Sequence, residues 1–344
     1  MSSPHDPFGE RDESVHRRTL RVLGADIRFR SNDARLLRLA ESAFAGLPRH
    51  RWRRAVRRLD IQLRVVTADS RKRRGEPSAP RLGAAAGSLI AIVDGANYAL
   101  VDAARGAAVV QVSRDRLVFA QHVRYELIEL AVFTLAARTQ GLLPLHAACV
   151  GKHGRGFLVL GESGAGKSTF ALASLSAGFE LVAEDGVFVD VDEARATGAA
   201  NFLHVRVDGL RYAGSARARV RRAPVIRRRS GVRKHQLDLR LQGARLAARP
   251  IQLAGVLVLS PRRARAGSEL RPLGAKELVR MLRVTQPYAT RHPRWRELER
   301  LLVRRGGHLA LRGADPLQTS RAALGLLMRG ASKRAGRPQW HAVP

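Results

Sequence analysis

Phe157-Leu-Val-Leu-Gly-Glu-Ser-Gly-Ala-Gly-Lys-Ser-Thr169 decides the fold of this chain. Its first four residues are apolar and read as a short buried strand, and Phe170-Ala-Leu-Ala-Ser-Leu175 behind it reads as an apolar helix. Between them Gly161, Glu162, Ser163, Gly164, Ala165, Gly166, Lys167, Ser168 and Thr169 fit G-x-x-x-x-G-K-[ST], the phosphate-binding loop. Glycine lets the backbone bend around phosphate oxygens, so amide N–H groups and the positive end of the following helix point at negative charge. The expected ligand is a nucleotide, with Lys167 at its β- and γ-phosphates and the Ser168 hydroxyl on Mg²⁺.

Both flanks extend this reading. Phe179-Glu-Leu-Val-Ala-Glu-Asp185 reads as a strand ending in two carboxylates, with Asp185 eighteen residues after Lys167. Carboxylates that face a phosphate loop from a strand end suit a Mg²⁺ site or a base for a hydroxyl nucleophile. Upstream, Pro144-Leu-His-Ala-Ala-Cys-Val150 and the loop strand are joined by the Gly-rich turn Gly151-Lys-His-Gly-Arg-Gly156, which predicts a hairpin with His146 in its first strand.

Taken together, His146, the loop Gly161 to Thr169 and the pair Glu184-Asp185 resemble the HPr kinase/phosphorylase family of bacterial serine kinases. The likeness is closer to that family's shorter, HPr-kinase-related relatives, and it is specific over about residues 145 to 190. Pro250 to Leu259 looks like the later core strand of those relatives, and His308 to Asp315 like their last strand. The resemblance implies an α/β phosphate-loop kinase domain of the HPr kinase and phosphoenolpyruvate carboxykinase type, built on a mixed sheet. It implies ATP-dependent phosphorylation of a hydroxyl, a serine of a protein or peptide, with ATP and Mg²⁺ as cofactors. Lys167, Glu184, Asp185 and His146 are then the catalytic group, Ser168 and Asp185 are the expected metal ligands, and Asp185 is the expected base. The family usually carries Asp-Asp where this chain has Glu184-Asp185, so the resemblance alone leaves the division of roles between the two open. Its second signature has no match between Ala194 and Leu241, which points away from phosphorolysis and from HPr itself as substrate. Two alternatives stay open, a small-molecule kinase on the same scaffold and a non-catalytic ATP-binding regulator. An LSGGQ-like signature and an Asn-Lys pair are both absent, which argues against ABC-type ATPases and GTPases.

The 344 residues suit two domains. Residues 1–15 read as disordered, 16–118 as a small α/β module, 119–328 as the phosphate-loop domain opened by the apolar helix Phe119 to Ala137, and 329–344 as a basic tail. Within the module, strands are expected over Arg18 to Arg30, Leu59 to Val66, Ser88 to Val93, Ala99 to Asp102 and Ala108 to Val112. A helix is expected over Asp33 to Phe44, capped by Ser31-Asn32, and a polar loop over Ser70 to Pro80. The single cysteine, Cys149, allows no internal disulfide and lies in an apolar run, as a small core residue does. With no signal-peptide order at the N-terminus and no span-length apolar run, a cytoplasmic protein without a membrane span is expected. Whether it forms a homo-oligomer is left open.

The net charge of +33 is uneven, with 33 basic against 7 acidic residues from Leu203 onward. Arg217 to Lys234 is densest, holding nine basic residues and no acidic one. Such a face attracts nucleic acid, acidic protein or anionic lipid. Arginine alongside much alanine, glycine and leucine also follows from a G- and C-rich genome, a reading that needs no partner. The segment contains no aromatic platform for base stacking, so nucleic acid is not the expected partner and an acidic protein or peptide acceptor is. Lys234, at the start of an expected strand, is a further candidate to approach the phosphates.

Overall fold

The structure is a computed structural model and describes residues 14–53, 55–67, 76–85, 87–263, 270–312 and 315–335. Most of the expected disordered N-terminus (1–13), part of the polar loop (70–75) and the end of the basic tail (336–344) lie outside the described residues. It is a mixed α/β protein with mixed sheets, and it divides into two compact units. One runs up to Ala45 and resumes from Trp52 to Gln140, while the other takes Gly46–Arg51 and the residues from Gly141 onward.

The first unit holds seven strands: β1 His16–Val22, β2 Ala25–Ser31, β3 Arg58–Val66, β4 Arg81–Ala85, β5 Ser88–Asp94, β6 Asn97–Asp102 and β7 Ala107–Ser113. They form one sheet in the order β1-β2-β3-β7-β6-β5-β4, with β2, β3 and β7 parallel and the rest antiparallel. Between β2 and β3 the helix α1, Ala34–Phe44, is capped by Asp33, whose carboxylate accepts from the Arg35 amide at 2.7 Å, rather than by Ser31 or Asn32. Leu36, Ala40, Ala43 and Phe44 recur at helical spacing and are buried on one side.

The apolar helix predicted to open the second domain belongs to this unit instead. It is broken by a wider π-type turn over Val123–Ile128, next to the buried ion pair Arg124–Glu129, and continues as α2, Glu129–Gln140. Phe133 of α2 meets Phe44 edge to face at 5.6 Å between ring centroids, a geometry that aromatic pairs favour. The expected boundary at 118/119 therefore falls after Gln140. Apolar periodicity announced a buried helix but not the surface that buries it.

In the second unit the chain runs β8 Leu143–Leu145, β9 Ala148–Lys152, β10 Arg155–Leu160, α3 Lys167–Ser176, β11 Glu180–Ala183, β12 Val187–Asp190, β13 Arg195–Gly198 and β14 Phe202–Val205. It continues with α4 Arg217–Arg222, β15 Val225–Arg227, β16 Arg233–Asp238, β17 Ile251–Arg263, β18 Leu270–Leu273, α5 Ala275–Thr285, α6 Trp295–Arg305, β19 Gly307–Arg312 and α7 Pro316–Ala335. The main sheet is ordered β11-β9-β10-β17-β13-β12-β8, with β19 also on β17 and β18 on β19. Its centre, β10-β17-β19, is parallel, and β9, β11, β12 and β13 pair antiparallel, so the sheet is mixed as expected. The predicted hairpin is present as β9–β10. His146 is not in it, because β8 leaves to pair with β12 and His146 sits in the bend between β8 and β9.

Both faces of this sheet are covered, which is why β10 reads as an unbroken apolar run rather than an alternating one. Leu158 and Leu160 pack with Leu278, Leu282, Leu298 and Leu302 of α5 and α6. Phe157 and Val159 pack on the other face with Phe170 and Leu172 of α3, Leu327 of α7, and Leu203, Val205 and Leu237 of a separate three-stranded sheet, β14-β16-β15. Each such side chain contributes about 1.5–3 kcal/mol on burial.

Two further contacts matter below. His50, from the Gly46–Arg51 segment, is buried in the second unit with one ring nitrogen on Thr197 Oγ1 and the other 2.9 Å from the Ala247 carbonyl. Gly198, ending β13, has no room for a side chain: a Cβ there would lie 2.4 Å from Ala183 Cβ and 2.9 Å from the Gly186 carbonyl. Gly198→Ala must therefore push apart β13 and the turn after β11, with an expected loss of about 1–3 kcal/mol. A urea midpoint equal to that of the parent protein would show that the contact is not tight.

Candidate functional site

Gly161–Thr169 leaves the buried end of β10 and enters α3, the strand–loop–helix path read from the sequence. Gly164 and Gly166 have φ of +82° and +101°, a region where a side chain is strained, and a Cβ on either would meet nothing within 4 Å. Conformation rather than crowding calls for glycine there. Gly166 also caps α3 with no side-chain acceptor, so the first-turn amides and the positive end of the helix dipole are presented to the loop. Glu162, Ser163 and Gly164 are exposed at the loop crown, whereas Ala165, Ser168 and Thr169 are half-buried.

Lys167 is buried and folds back over its own loop, donating to the Gly161 carbonyl at 2.8 Å. Burial pulls its ammonium below the usual lysine range, the charges of Asp185 and Glu184 oppose that pull, and Lys234 adds to the fall. The structure thus sets Lys167 in the field of Asp185, Glu184 and Lys234.

The two carboxylates part company. Glu184 is buried: Ser168 Oγ donates to its Oε1, and His204 Nδ1, 3.2 Å away, faces its Oε2. A carboxylate only accepts, so the imidazole donates from Nδ1. Asp185 is more than a third exposed and its Oδ1 is 3.0 Å from His146 Nδ1. Ser168 was expected to share a metal with Asp185, yet the carboxylate it touches is Glu184. Hydroxyl and carboxylate oxygens are hard donors, and one or two protein ligands beside phosphates are the usual share of a Mg²⁺ site. Ser168 and Glu184 fit that ion.

His146 is held by its backbone. Its N–H donates to Gln286 Oε1 at 2.8 Å and its carbonyl accepts from Gln286 Nε2 at 3.0 Å, and the Gln286 side chain is fully buried. Two residues on, burial and then the Asp185 charge raise the Tyr288 phenol, which places that ring in the field of the same carboxylate. His204, Gln286 and Tyr288 were not found from the sequence. His204 sits inside an ordinary short strand, and Gln286 and Tyr288 lie about 120 residues beyond the loop with no motif around them.

No protein-family model matches the chain, and no curated protein matches it. Among solved structures it is similar to the Hpr(Ser) kinase/phosphatase from Coxiella burnetii, at 12% identity over 56% of this chain and 99% of that one, with a TM-score of 0.26.

The buried pair Glu184–His204 yields a prediction. His204→Leu leaves a buried carboxylate oxygen without its donor, an expected loss of about 1–3 kcal/mol, whereas His204→Gln keeps an N–H and loses less. Equal urea midpoints for the two variants would show that the hydrogen bond contributes nothing.

Proposed function

We propose that this chain is an ATP-dependent kinase that transfers the γ-phosphate to a hydroxyl, a serine of a protein or peptide. The observation that carries this reading is the division of the carboxylates, one buried against the loop hydroxyl and one open beside a histidine. Phosphoryl transfer needs two such groups, an oxygen ligand for the metal and an acceptor for the incoming hydroxyl's proton.

In this reading the loop amides and Lys167 hold the triphosphate, and Lys167 exchanges its present carbonyl contacts for phosphate oxygens. Ser168 and Glu184 would hold Mg²⁺, which would supply neutralisation of the charge that develops on the transferring group. His204 keeps Glu184 turned toward Ser168. Asp185 takes the proton from the acceptor hydroxyl as its oxygen bonds to the γ-phosphorus and the bond to the β-phosphate oxygen breaks. His146, fixed by Gln286, holds Asp185 in place for that step. The burial of Glu184 against Ser168 and the exposure of Asp185 support taking Asp185 as base and Glu184 as metal ligand.

Turnover tests the reading. Lys167→Ala should abolish Mg²⁺-dependent transfer from ATP with the fold intact, and undiminished transfer in that variant would remove the kinase assignment. Asp185→Asn should lower the transfer rate roughly a hundredfold or more with ATP affinity nearly kept, while Glu184→Gln should act chiefly by raising the Mg²⁺ concentration required. The opposite pattern would exchange the two roles.

A further inference from the structure

The arginine-rich segment takes no part in the chemistry above, yet the second unit carries it to the edge of the phosphate loop. Thr169 ends the loop, and a Cβ built on Gly209 would lie 3.4 Å from Thr169 Oγ1, so the helical turn Val207–Tyr212 packs directly against it. That turn continues into α4. On its other side β14 brings His204 to Glu184, β16 pairs with β14, and β15 pairs with β16. The register sets Val205 opposite His235, so Lys234 comes one step past that pair, opposite Ile226, with Arg227 opposite Arg233 beyond it. Gly231, at φ +78°, closes the hairpin with its amide on the Arg228 carbonyl at 2.8 Å. Lys234 is thus the residue of the hairpin whose charge is felt at Lys167, and Arg227 and Arg233, the next pair along, are exposed.

Its charge is of one sign. No acidic residue occurs from Gly209 to Leu237, and Arg217, Arg221, Arg222, Arg227 and Arg233 are exposed. Several arginines elsewhere in the unit meet carboxylates, Arg240 meeting Asp238, Arg283 meeting Glu299 and Arg294 meeting Asp192 and Glu297. An acidic acceptor approaching a triphosphate and two carboxylates meets repulsion, and a cationic rim beside the loop reverses it. The position also selects the occupant, since the partner held here must present a hydroxyl to the adjoining site.

We propose that α4 and the β15–β16 hairpin form the docking surface for an acidic segment flanking the acceptor serine, an inference that rests on the kinase reading. It is tested by binding rather than turnover. A fluorescent serine peptide flanked by glutamates, and its glutamine counterpart, are titrated with the full chain at low and high salt, with Mg²⁺·ATP binding measured in parallel. The acidic peptide should bind at least about tenfold more tightly at low salt and lose that advantage at high salt. The triple variant Arg222→Gln, Arg227→Gln, Arg233→Gln should weaken it by about tenfold, and the corresponding triple lysine variant should keep most of it. Equal binding of the two peptides, or unchanged binding by the glutamine variant, overturns the proposal. So does an RNA of similar length that binds more tightly and displaces the peptide, which gives the surface to nucleic acid. A protein that binds the acidic peptide as expected but not Mg²⁺·ATP overturns the kinase reading separately.

Discussion

Glu184 is the constraint on which the site depends. A carboxylate out of water is stable only when its oxygens are met by donors, and here one is met by Ser168 at the start of α3 and the other by His204 on β14. Those two bonds tie the Gly161–Thr169 loop, the end of β11 and the small three-stranded sheet to one side chain. They also sort the acidic pair, because a Glu184 so engaged leaves Asp185 to turn outward to His146. The longer side chain at 184 reaches inward to Ser168 and His204, and the shorter Asp185 meets His146.

What the sequence disclosed was local. The loop, its strand, its helix and the carboxylates after β11 lie within thirty residues, and each is announced by a spacing that backbone geometry demands. The strands of the first unit, β4 excepted, were legible for the same reason, since alternation is a property of a few consecutive residues. What stayed hidden was the pairing of distant pieces. His204 reaches Glu184 across 20 residues and Gln286 reaches His146 across 140, and nothing in either neighbourhood marks the partner.

Two errors of placement share that cause. The helix ending in Gln140 is apolar enough to be buried anywhere, and it lies in the first unit, where Phe133 meets Phe44. His146 lies between two short apolar runs that look like one strand, and they separate because β8 finds β12 while β9 finds β10.

The segment around His50 has a consequence for how the protein is made. Its ring bonds Thr197 and Ala247, which follow it by 147 and 197 residues, so the second unit is finished by a piece synthesised long before the rest of it. At about 5–20 residues per second the ribosome needs roughly 7–30 s to travel from His50 to Thr197. Throughout that interval the six residues Gly46–Arg51 must stay unspent between α1 and β3. Closing so wide a loop costs roughly 4 kcal/mol of chain entropy before any contact rewards it. Docking of His50 is thus a late event, and an order of assembly, early strands first and their intervening turn last, is written into the connectivity.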